Sequence, residues 1–224
     1  MDDGTRGELR GRLAAAVGAV SVPHPVRVAI DGPPAAGKTT LADELAVVLR
    51  AQGREVIRAT VDDFLFPRAR RYRSGEYSAE GCYFETHDYA SLNRMLLDPL
   101  GPGGDRRIQT AAYDPRTDTA WSPPATTAPG SAVLLFDGVF LLRPELDGRW
   151  ELRIFVSASF GQTIARAQRR EQGAMSAADV ERRWRDRYIP AQELYFAAVR
   201  PAEHADIVVD NDHPRCPAGA SRIG

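Results

Sequence analysis

The sequence predicts an α/β protein, a three-layer sandwich around a mainly parallel sheet of five strands. Five short apolar runs, each bounded by turn or helix signals, have the length of buried strands. Helical patterns lie between several of these runs, and such βαβ alternation is typical of a parallel sheet covered by helices. A glycine-bearing loop also joins the first run to a helix. The predicted strands are residues 26–30, 55–60, 132–137, 153–157 and 206–210.

The helices are predicted from apolar side chains that recur at helical spacing. A first helix ends before Pro23, and a second follows the glycine-bearing loop and ends near Gly53. Pro190 is expected to break or kink the last helix, because proline lacks the backbone N–H that a helix interior uses. Residues 107–113 are expected to add an edge strand. The remaining helical patterns cover residues 88–98, 163–172 and 177–200.

Length and composition indicate one domain in a cytoplasmic protein. The 224 residues suit a single domain over residues 1–210, with a helix in residues 1–22 packed on it and a flexible tail over residues 211–224. A net charge of −1 gives no broad surface for nucleic acid or for an anionic membrane. The two cysteines have no metal-ligand spacing, so we expect reduced thiols, and no leader peptide or membrane span is recognisable.

The glycine-bearing loop has the pattern GxxxxGK[ST], which predicts a phosphate-binding P-loop. Its backbone N–H groups and the following helix N-terminus would surround phosphate oxygens, Lys38 would reach the β and γ oxygens, and Thr39 would bind Mg²⁺. Lys38 is the one lysine among 29 basic residues, and it stands where arginine cannot replace the compact ammonium. The alternative is an ordinary strand-to-helix turn. The predicted nucleotide-binding residues here are Gly32, Pro33, Pro34, Ala35, Ala36, Gly37, Lys38, Thr39 and Thr40.

Carboxylates follow two other strands, at the sheet edge where open α/β sheets bind ligands. Asp62 or Asp63 can serve as the base that accepts a hydroxyl proton, with Asp62 preferred, or either can cap the next segment. Asp137 ends an apolar run in the manner of a Walker B acid, suited to Mg²⁺, and a helix cap is its alternative. A GTPase is excluded, because no second lysine remains for an Asn-Lys-x-Asp segment.

Several motifs together resemble the uridine kinase and phosphoribulokinase-like family. The resemblance runs from about Val26 to Asp210. The segments that carry it are residues 31–40, Asp62-Asp63-Phe64, Tyr83-Phe84-Glu85 with Asp88, Tyr113-Asp114, residues 136–140, the arginines after residues 153–157, and residues 205–209.

The resemblance implies roles for individual residues. Asp62 matches the general base that also touches Mg²⁺, and Asp137 matches the acid on the metal side. Glu85 falls where an aspartate holds the ribose hydroxyls, Tyr113 where a tyrosine packs near the base, and Phe64 joins them in the acceptor pocket. The sequence departs from the uridine kinases at residues 83–87 and at Asp118, which would lie in the nucleoside pocket. Arginines of a lid segment close over the phosphates in the family; here they are Arg166, Arg169 and Arg170.

The predicted function is an ATP- and Mg²⁺-dependent kinase that phosphorylates a hydroxyl of a small molecule, with a nucleoside such as uridine or cytidine as the preferred acceptor. Lys38, Asp62 and Arg169 are the expected catalytic residues. Pantothenate, a sugar or a sugar phosphate are alternative acceptors, and the basic run Arg68–Arg73 could bind an anionic one. A non-catalytic ATP-binding module and an inactive structural subunit are the alternatives outside enzymes. The family resemblance makes a homo-oligomer an open alternative.

Three charged or aromatic groups have plainer interpretations. A solvated helix face explains the lid arginines equally well, and packing explains Tyr113. His87 lies near Glu85 and Asp88 in the sequence, but no further clear metal ligand is found elsewhere to complete such a site.

Overall fold

A six-stranded sheet forms the centre of the fold in the computed structural model, which describes residues 5–214 and 217–221. Five strands are parallel and lie in the order β5-β4-β1-β3-β2, and β6 pairs antiparallel with β5 at the edge. The predicted α/β fold with five parallel strands is therefore confirmed. The strands are β1 (Val26–Asp31), β2 (Val56–Thr60), β3 (Val133–Gly138), β4 (Leu152–Ser157), β5 (Ile207–Asp210) and β6 (Ala218–Ser221).

Helices cover both faces of this sheet. The α-helices are Arg6–Ala19, Lys38–Ala51, Arg68–Arg71, Ala79–Phe84, Tyr89–Leu92, Asp98–Leu100, Phe160–Arg170, Ala177–Arg183, Ile189–Val199 and Pro201–His204. The shorter 3-10 helices are Val61–Phe64 and Pro144–Leu146, and the π-helical turns are Asn93–Leu97 and Trp184–Tyr188. None of the described helices has the length and apolar character needed to cross a membrane.

Two apolar clusters, one on each face, hold the helices to the sheet. On one face Leu9 and Val17 of the first helix pack with Leu45 and with Val28 and Ile154 of the sheet. The first helix begins with a capping box in which Thr5 and Glu8 satisfy each other's backbone N–H groups. On the other face the helical segment from residue 89 to 100 packs with β3 and Trp150. The second cluster includes Leu92, Leu96, Leu97 and Leu100 of this segment and Leu134 and Phe136 of β3.

The strand register brings three loops to one edge of the sheet. In β1 and β3 Asp31 is opposite Gly138, and in β2 and β3 Thr60 is opposite Asp137. Because the strands are parallel, the loops that follow β1, β2 and β3 leave the sheet side by side. This arrangement places the phosphate loop, Asp62 and Asp137 close together.

Residues 107–113 do not form the predicted edge strand of the central sheet. Arg107–Ile108 instead pairs with Thr126–Thr127, and Tyr113–Asp114 pairs with Thr119–Ala120, in two separate antiparallel ladders. Parts of the segment do form strands, but each pairs with another part of the long connection between β2 and β3.

The structure also differs from the prediction at two places near the C-terminus. Pro190 does not end the helix: it lies in the first turn of Ile189–Val199, directly after the π-helical turn, where the wider winding accommodates its missing N–H. The tail predicted for residues 211–224 contains β6, because its backbone can pair with the exposed edge of β5. Residues 215–216 and 222–224 lie outside the described part of the chain.

Candidate active site

Two glycines shape the loop that follows β1. Gly32 has φ 149° and Gly37 has φ 97°, values that residues with a Cβ rarely adopt. A Cβ on Gly32 would lie 2.2 Å from the carbonyl oxygen of Val156, and one on Gly37 would lie 2.5 Å from Nδ2 of Asn211. The loop is therefore held close to β4 and to Asn211, in a conformation that a side chain would disrupt.

Lys38 begins the helix after this loop, and its side chain is buried. Its ammonium donates a hydrogen bond of 2.7 Å to the carbonyl oxygen of Pro33. Burial lowers the pKa of Lys38, while the nearby carboxylates of Asp31, Asp137 and Asp62 oppose that shift. The ammonium of Lys38 thus lies among three carboxylates and points into the loop.

Asp137 lies at the end of β3 with both oxygens bonded. The hydroxyl of Thr39 donates to Oδ2 at 2.6 Å, and Nη2 of Arg58 on β2 is 2.8 Å from Oδ1. Arg58 also donates to the carbonyl oxygen of Leu135 and to Asp43. The hydroxyl and carboxylates of Thr39, Asp137 and Asp62 are oxygen ligands of the kind that Mg²⁺ prefers.

Asp62 occupies the short helix that follows β2, and its carboxyl opens into a cleft beside Lys38. Solvent reaches the side chain through the cleft, while protein surrounds it on the other sides. This partial desolvation raises the pKa of Asp62; Lys38 opposes the shift and Asp137 adds to it. The neighbouring Asp63 points away from the cleft lining, and burial raises its pKa to about 6.

The cleft has a volume of about 480 Å³, and most of its lining falls into two sets of residues. The rest of the lining is Thr60, Gly138, Val139, Phe140 and Glu171. The loop set comes from the phosphate loop, the two acids and the helix Phe160–Arg170. The distal set comes from the segments around residues 65–87 and 183–192. The loop set is Pro34, Ala35, Gly37, Lys38, Thr39, Thr40, Asp62, Asp137, Arg166 and Arg170, and the distal set is Leu65, Arg71, Tyr72, Cys82, Thr86, His87, Arg183, Trp184, Arg187, Tyr188 and Gln192.

The predicted lid arginines differ in position. Arg166 donates to the carbonyl oxygens of Ala35 and Ala36 and, at 2.5 Å, to that of Asn211, so it fastens the phosphate loop to the end of β5. Arg170 lines the cleft and pairs with Glu171 at 3.0 Å. Arg169 is exposed and is not part of the cleft lining. A role for Arg169 over the phosphates stays a prediction.

The residues assigned to the acceptor by resemblance lie elsewhere. Phe64 is fully buried in the core beside Phe136, so its assignment to an acceptor pocket is wrong. Glu85 accepts hydrogen bonds from Arg73 and Ser74, and Tyr113 donates to Asp118. Neither residue lines the cleft. Their contact with an acceptor stays a prediction.

His87 and Cys82 belong to the distal set as neutral groups. Burial, together with Arg143 and Arg71, lowers the pKa of His87 to about 3, and burial raises the pKa of Cys82 to about 11. Among the described residues, no group of three or more His, Cys, Asp or Glu could hold a metal ion. The imidazole of His87 is therefore uncharged where it lines the cleft.

Sequence reasoning missed several polar residues around the cleft. Tyr195 donates a 2.5 Å hydrogen bond to buried Asp31 and accepts one from the backbone N–H of Leu142. Arg58 interrupts the apolar run of β2, and its guanidinium pairs with the buried Asp137 on the neighbouring strand. Gln192 and Trp184 also went unnoticed.

Gln192 and Trp184 are buried, but parts of their side chains have no partner. Neither amide atom of Gln192, nor Nε1 of Trp184, has a hydrogen-bond partner within the described part of the chain. Leaving such a group unpaired costs about 1–3 kcal/mol, more than the ~1 kcal/mol that a typical hydrogen bond contributes. Both residues line the cleft.

The strand-loop-helix arrangement and the cleft beside it define a P-loop kinase fold. The sequence model of the cytidylate kinase-like family matches residues 27–213, so the chain belongs to this family. No curated protein matches the sequence.

Solved structures agree with this fold. A protein from Bacillus stearothermophilus, described as a possible uridine kinase, is 26% identical with a TM-score of 0.68, over 90% of this chain and 98% of the other. A candidate fructose transport system kinase from a Silicibacter species is 23% identical (TM-score 0.69; 85% and 94% covered). A D-glycerate 3-kinase from Cryptococcus neoformans is 14% identical (TM-score 0.67; 96% and 98% covered). The last two likenesses show the fold alone. The resemblance to uridine kinases is supported as one to a distant relative within the P-loop kinases.

Proposed function

We propose that this protein is an ATP-dependent kinase that transfers the γ-phosphoryl group to a hydroxyl of a small molecule. The convergence of Lys38, Thr39, Asp62 and Asp137 in one cleft supports the proposal best. A cation, a hydroxyl and two carboxylates are the groups that phosphoryl transfer uses to bind phosphates, hold Mg²⁺ and orient a nucleophile. The structures with a similar fold are named for uridine, fructose and glycerate, which all carry hydroxyl groups.

In the proposed reaction the acceptor hydroxyl attacks the γ-phosphorus as the bond from that phosphorus to the β,γ-bridging oxygen breaks. The hydroxyl proton passes to Asp62, and ADP leaves with the bridging oxygen. Lys38 stabilises charge on the phosphate oxygens, and Arg170 adds a second cation at the cleft. Mg²⁺, when held by Thr39 and the carboxylates, would neutralise charge on the β and γ phosphates.

Asp62 suits the part of a base because of its surroundings. Its raised pKa lies closer to neutrality than that of an ordinary aspartate, which improves proton acceptance, yet Lys38 favours the ionised form. Asp137 is less suited, because Thr39 and Arg58 already occupy both of its oxygens. Asp62 therefore receives the proton in our proposal, and Asp137 stays on the metal side.

A nucleoside such as uridine or cytidine is the first acceptor to test. The similar structure described as a possible uridine kinase favours it, whereas Glu85 and Tyr113, which the resemblance assigns to the nucleoside, do not line the cleft. An anionic acceptor is the second candidate, because Arg71 and Arg183 line the distal set, whereas Arg68, Arg70 and Arg73 do not.

ADP release from ATP and Mg²⁺ tests the proposal. The panel is uridine, cytidine, pantothenate, D-fructose, D-glycerate and ribulose 5-phosphate, with Lys38→Ala as the blank. We expect acceptor-dependent release that the blank lacks, with a phosphorylated product detected by mass spectrometry. Binding of ATP without transfer to any alcohol would instead support a nucleotide-binding module.

A further inference from the structure

The carbonyl oxygens of the phosphate loop bear on how the loop can bind phosphate. Such a loop binds phosphate oxygens through backbone N–H groups, so its own carbonyl oxygens must face away from the ligand. Lys38 bonds to the carbonyl oxygen of Pro33, and Arg166 reaches those of Ala35 and Ala36. The two contacts of Arg166 are long, 3.4 and 3.3 Å, so Arg166 alone holds these oxygens weakly.

Asn211, directly after β5, makes the short bond to the same part of the loop. Its amide nitrogen Nδ2 donates to the carbonyl oxygen of Ala36 at 2.6 Å, and the residue is buried. The same nitrogen is the atom that a Cβ on Gly37 would meet. Asn211 therefore contacts the peptide group that joins Ala36 to Gly37, at the start of the helix that follows the loop.

The bond from Asn211 fixes the direction of this peptide group. In a trans peptide the C=O and the following N–H point to opposite sides. Gly37 lines the cleft, whereas Ala36 and Asn211 are not part of the lining. Because Nδ2 holds the Ala36 oxygen on the side away from the cleft, the N–H of Gly37 is directed to the cleft side, where it can donate to a phosphate oxygen.

Asn211 is itself anchored by three other hydrogen bonds. Its backbone N–H donates to the carbonyl oxygen of Ser157 at 2.9 Å, and its own carbonyl oxygen accepts from Arg166 at 2.5 Å. Its amide oxygen accepts from Arg6 at 3.4 Å, and Arg6 pairs with Glu44 on the helix after the loop. These bonds keep Nδ2 directed at the loop.

We propose that Asn211 is a positioning residue for ATP, which turns the peptide between Ala36 and Gly37 so that the Gly37 N–H serves the phosphates. The inference rests on the proposed ATP-dependent function. Asn211 acts through the loop, because it does not line the cleft itself. The sequence placed it in the predicted tail, where no motif marks it.

Titration calorimetry with ATP and Mg²⁺ tests the proposal on the wild-type chain and on Asn211→Ala. Without the amide, the Ala36 oxygen keeps only its long contact with Arg166, and the peptide group is free to turn. We expect the Kd for ATP to rise about tenfold, as the loss of a hydrogen bond to a buried group predicts. A Kd within about twofold of the wild-type value would overturn the proposal.

Arg6→Gln is the control for a purely structural effect. It removes the ion pair with Glu44 and the contact with the amide oxygen of Asn211, but it leaves Nδ2 bonded to Ala36. Its Kd for ATP should stay within about twofold of the wild-type value. Melting temperatures are measured for both variants, and a loss of ATP affinity that follows the melting temperature in both would reduce Asn211 to a structural residue.

A double-mutant cycle with Gly37→Ala adds a measurement that a general loss of stability would not change. In the wild type the added Cβ meets Nδ2 of Asn211, and in Asn211→Ala that nitrogen is absent. Gly37→Ala should therefore cost at least about threefold less ATP affinity in the Asn211→Ala background. Additive losses would show that Asn211 does not act on this peptide group and would contradict the proposal.

The outcomes also separate this inference from the kinase assignment. A wild type that binds ATP but phosphorylates no alcohol, with the expected losses in Asn211→Ala, would overturn the kinase and support the role of Asn211. A kinase whose ATP affinity is unaffected by Asn211→Ala would show the reverse. A wild type that does not bind ATP would overturn both.

Discussion

The two sets of residues that line the cleft are built in different ways. In the loop set, Lys38, Thr39, Asp137 and Arg166 all bond to other parts of the protein. In the distal set, Gln192 and Trp184 are buried with polar atoms unpaired. The loop set is thus held by its own hydrogen bonds. The distal set is mixed, because Arg187 donates to backbone carbonyl oxygens such as that of Glu76, whereas Gln192 and Trp184 keep buried polar atoms without a partner among the described residues.

The difference between the sets follows from how the chain supplies them. Most of the loop set comes from one contiguous stretch after β1, together with single residues at the ends of neighbouring strands. The distal set collects residues from two segments, around residues 65–87 and 183–192, that are far apart in the sequence. A rigid set of residues favours precise catalysis. A set drawn from separate segments allows single substitutions to change which acceptor binds.

The largest expected effect is on Asp62, the carboxylate of the loop set that we propose as the base. Asp62→Asn keeps the size of the side chain but removes the base, so kcat should fall about 10²- to 10⁴-fold. The KM for ATP should change little, because Lys38 and the loop keep their contacts. Steady-state kinetics at saturating ATP measures both values, and an unchanged kcat would show that another group accepts the proton.

The same residue predicts a pH dependence. A base must be ionised, so kcat/KM for the acceptor should fall tenfold per pH unit below the pKa of Asp62. Desolvation raises the pKa of Asp62 above the ordinary aspartate value of 3.8. The acid limb of the profile should therefore lie at a pH above that value. A pH–rate profile locates the limb, and the residual activity of Asp62→Asn should not show it.

Gly37→Ala tests whether the loop set is rigid. The added Cβ meets Nδ2 of Asn211 at a positive φ, and a strain of about 1–3 kcal/mol corresponds to a loss of ATP affinity of roughly 5- to 150-fold. Gly53→Ala is the matched control, since Gly53 also has positive φ, 78°, but open space around it. Titration calorimetry with ATP should separate the two variants; equal affinities would indicate a pliable loop.

Tyr195→Phe tests the support beneath the loop set. Without the hydroxyl, buried Asp31 loses its donor and Leu142 N–H loses its acceptor, so the free energy of unfolding should fall by about 1–3 kcal/mol. Chemical denaturation measures the change. Tyr77→Phe is the control, because the Tyr77 ring packs against Arg182 through its face and its hydroxyl should contribute little.

The same contrast separates what the sequence predicts from what it does not. The glycines, Lys38 and Thr39 lie in one pattern with its own strand and helix, so local rules predict both their structure and their proximity. The five parallel strands follow from apolar runs in the same way. Even Asp62 and Asp137 are predictable, because parallel strands deliver their ends to one edge.

The rest depends on packing between distant segments. Nothing local predicts that Gln192 borders the cleft, because this depends on how the helix Ile189–Val199 packs against Cys82 and Tyr83. Phe64 was expected in the acceptor pocket together with the residues that the resemblance assigns there, but it lies two positions after Asp62 in a tight helical turn, and its ring is buried in the core. The ladder formed by Tyr113–Asp114 likewise pairs within its own loop.

The smallest expected effect tests the residue that resemblance assigns to the acceptor. Arg73 and Ser74 bond to the two carboxylate oxygens of Glu85, which does not line the cleft. Glu85→Gln should therefore change the KM for the acceptor by less than about twofold, and its ion pair with Arg73 at the surface should contribute little to stability. Acceptor saturation curves decide the matter. A tenfold rise in KM would mean that Glu85 turns into the cleft when the acceptor binds, and that the segments of the distal set rearrange with it.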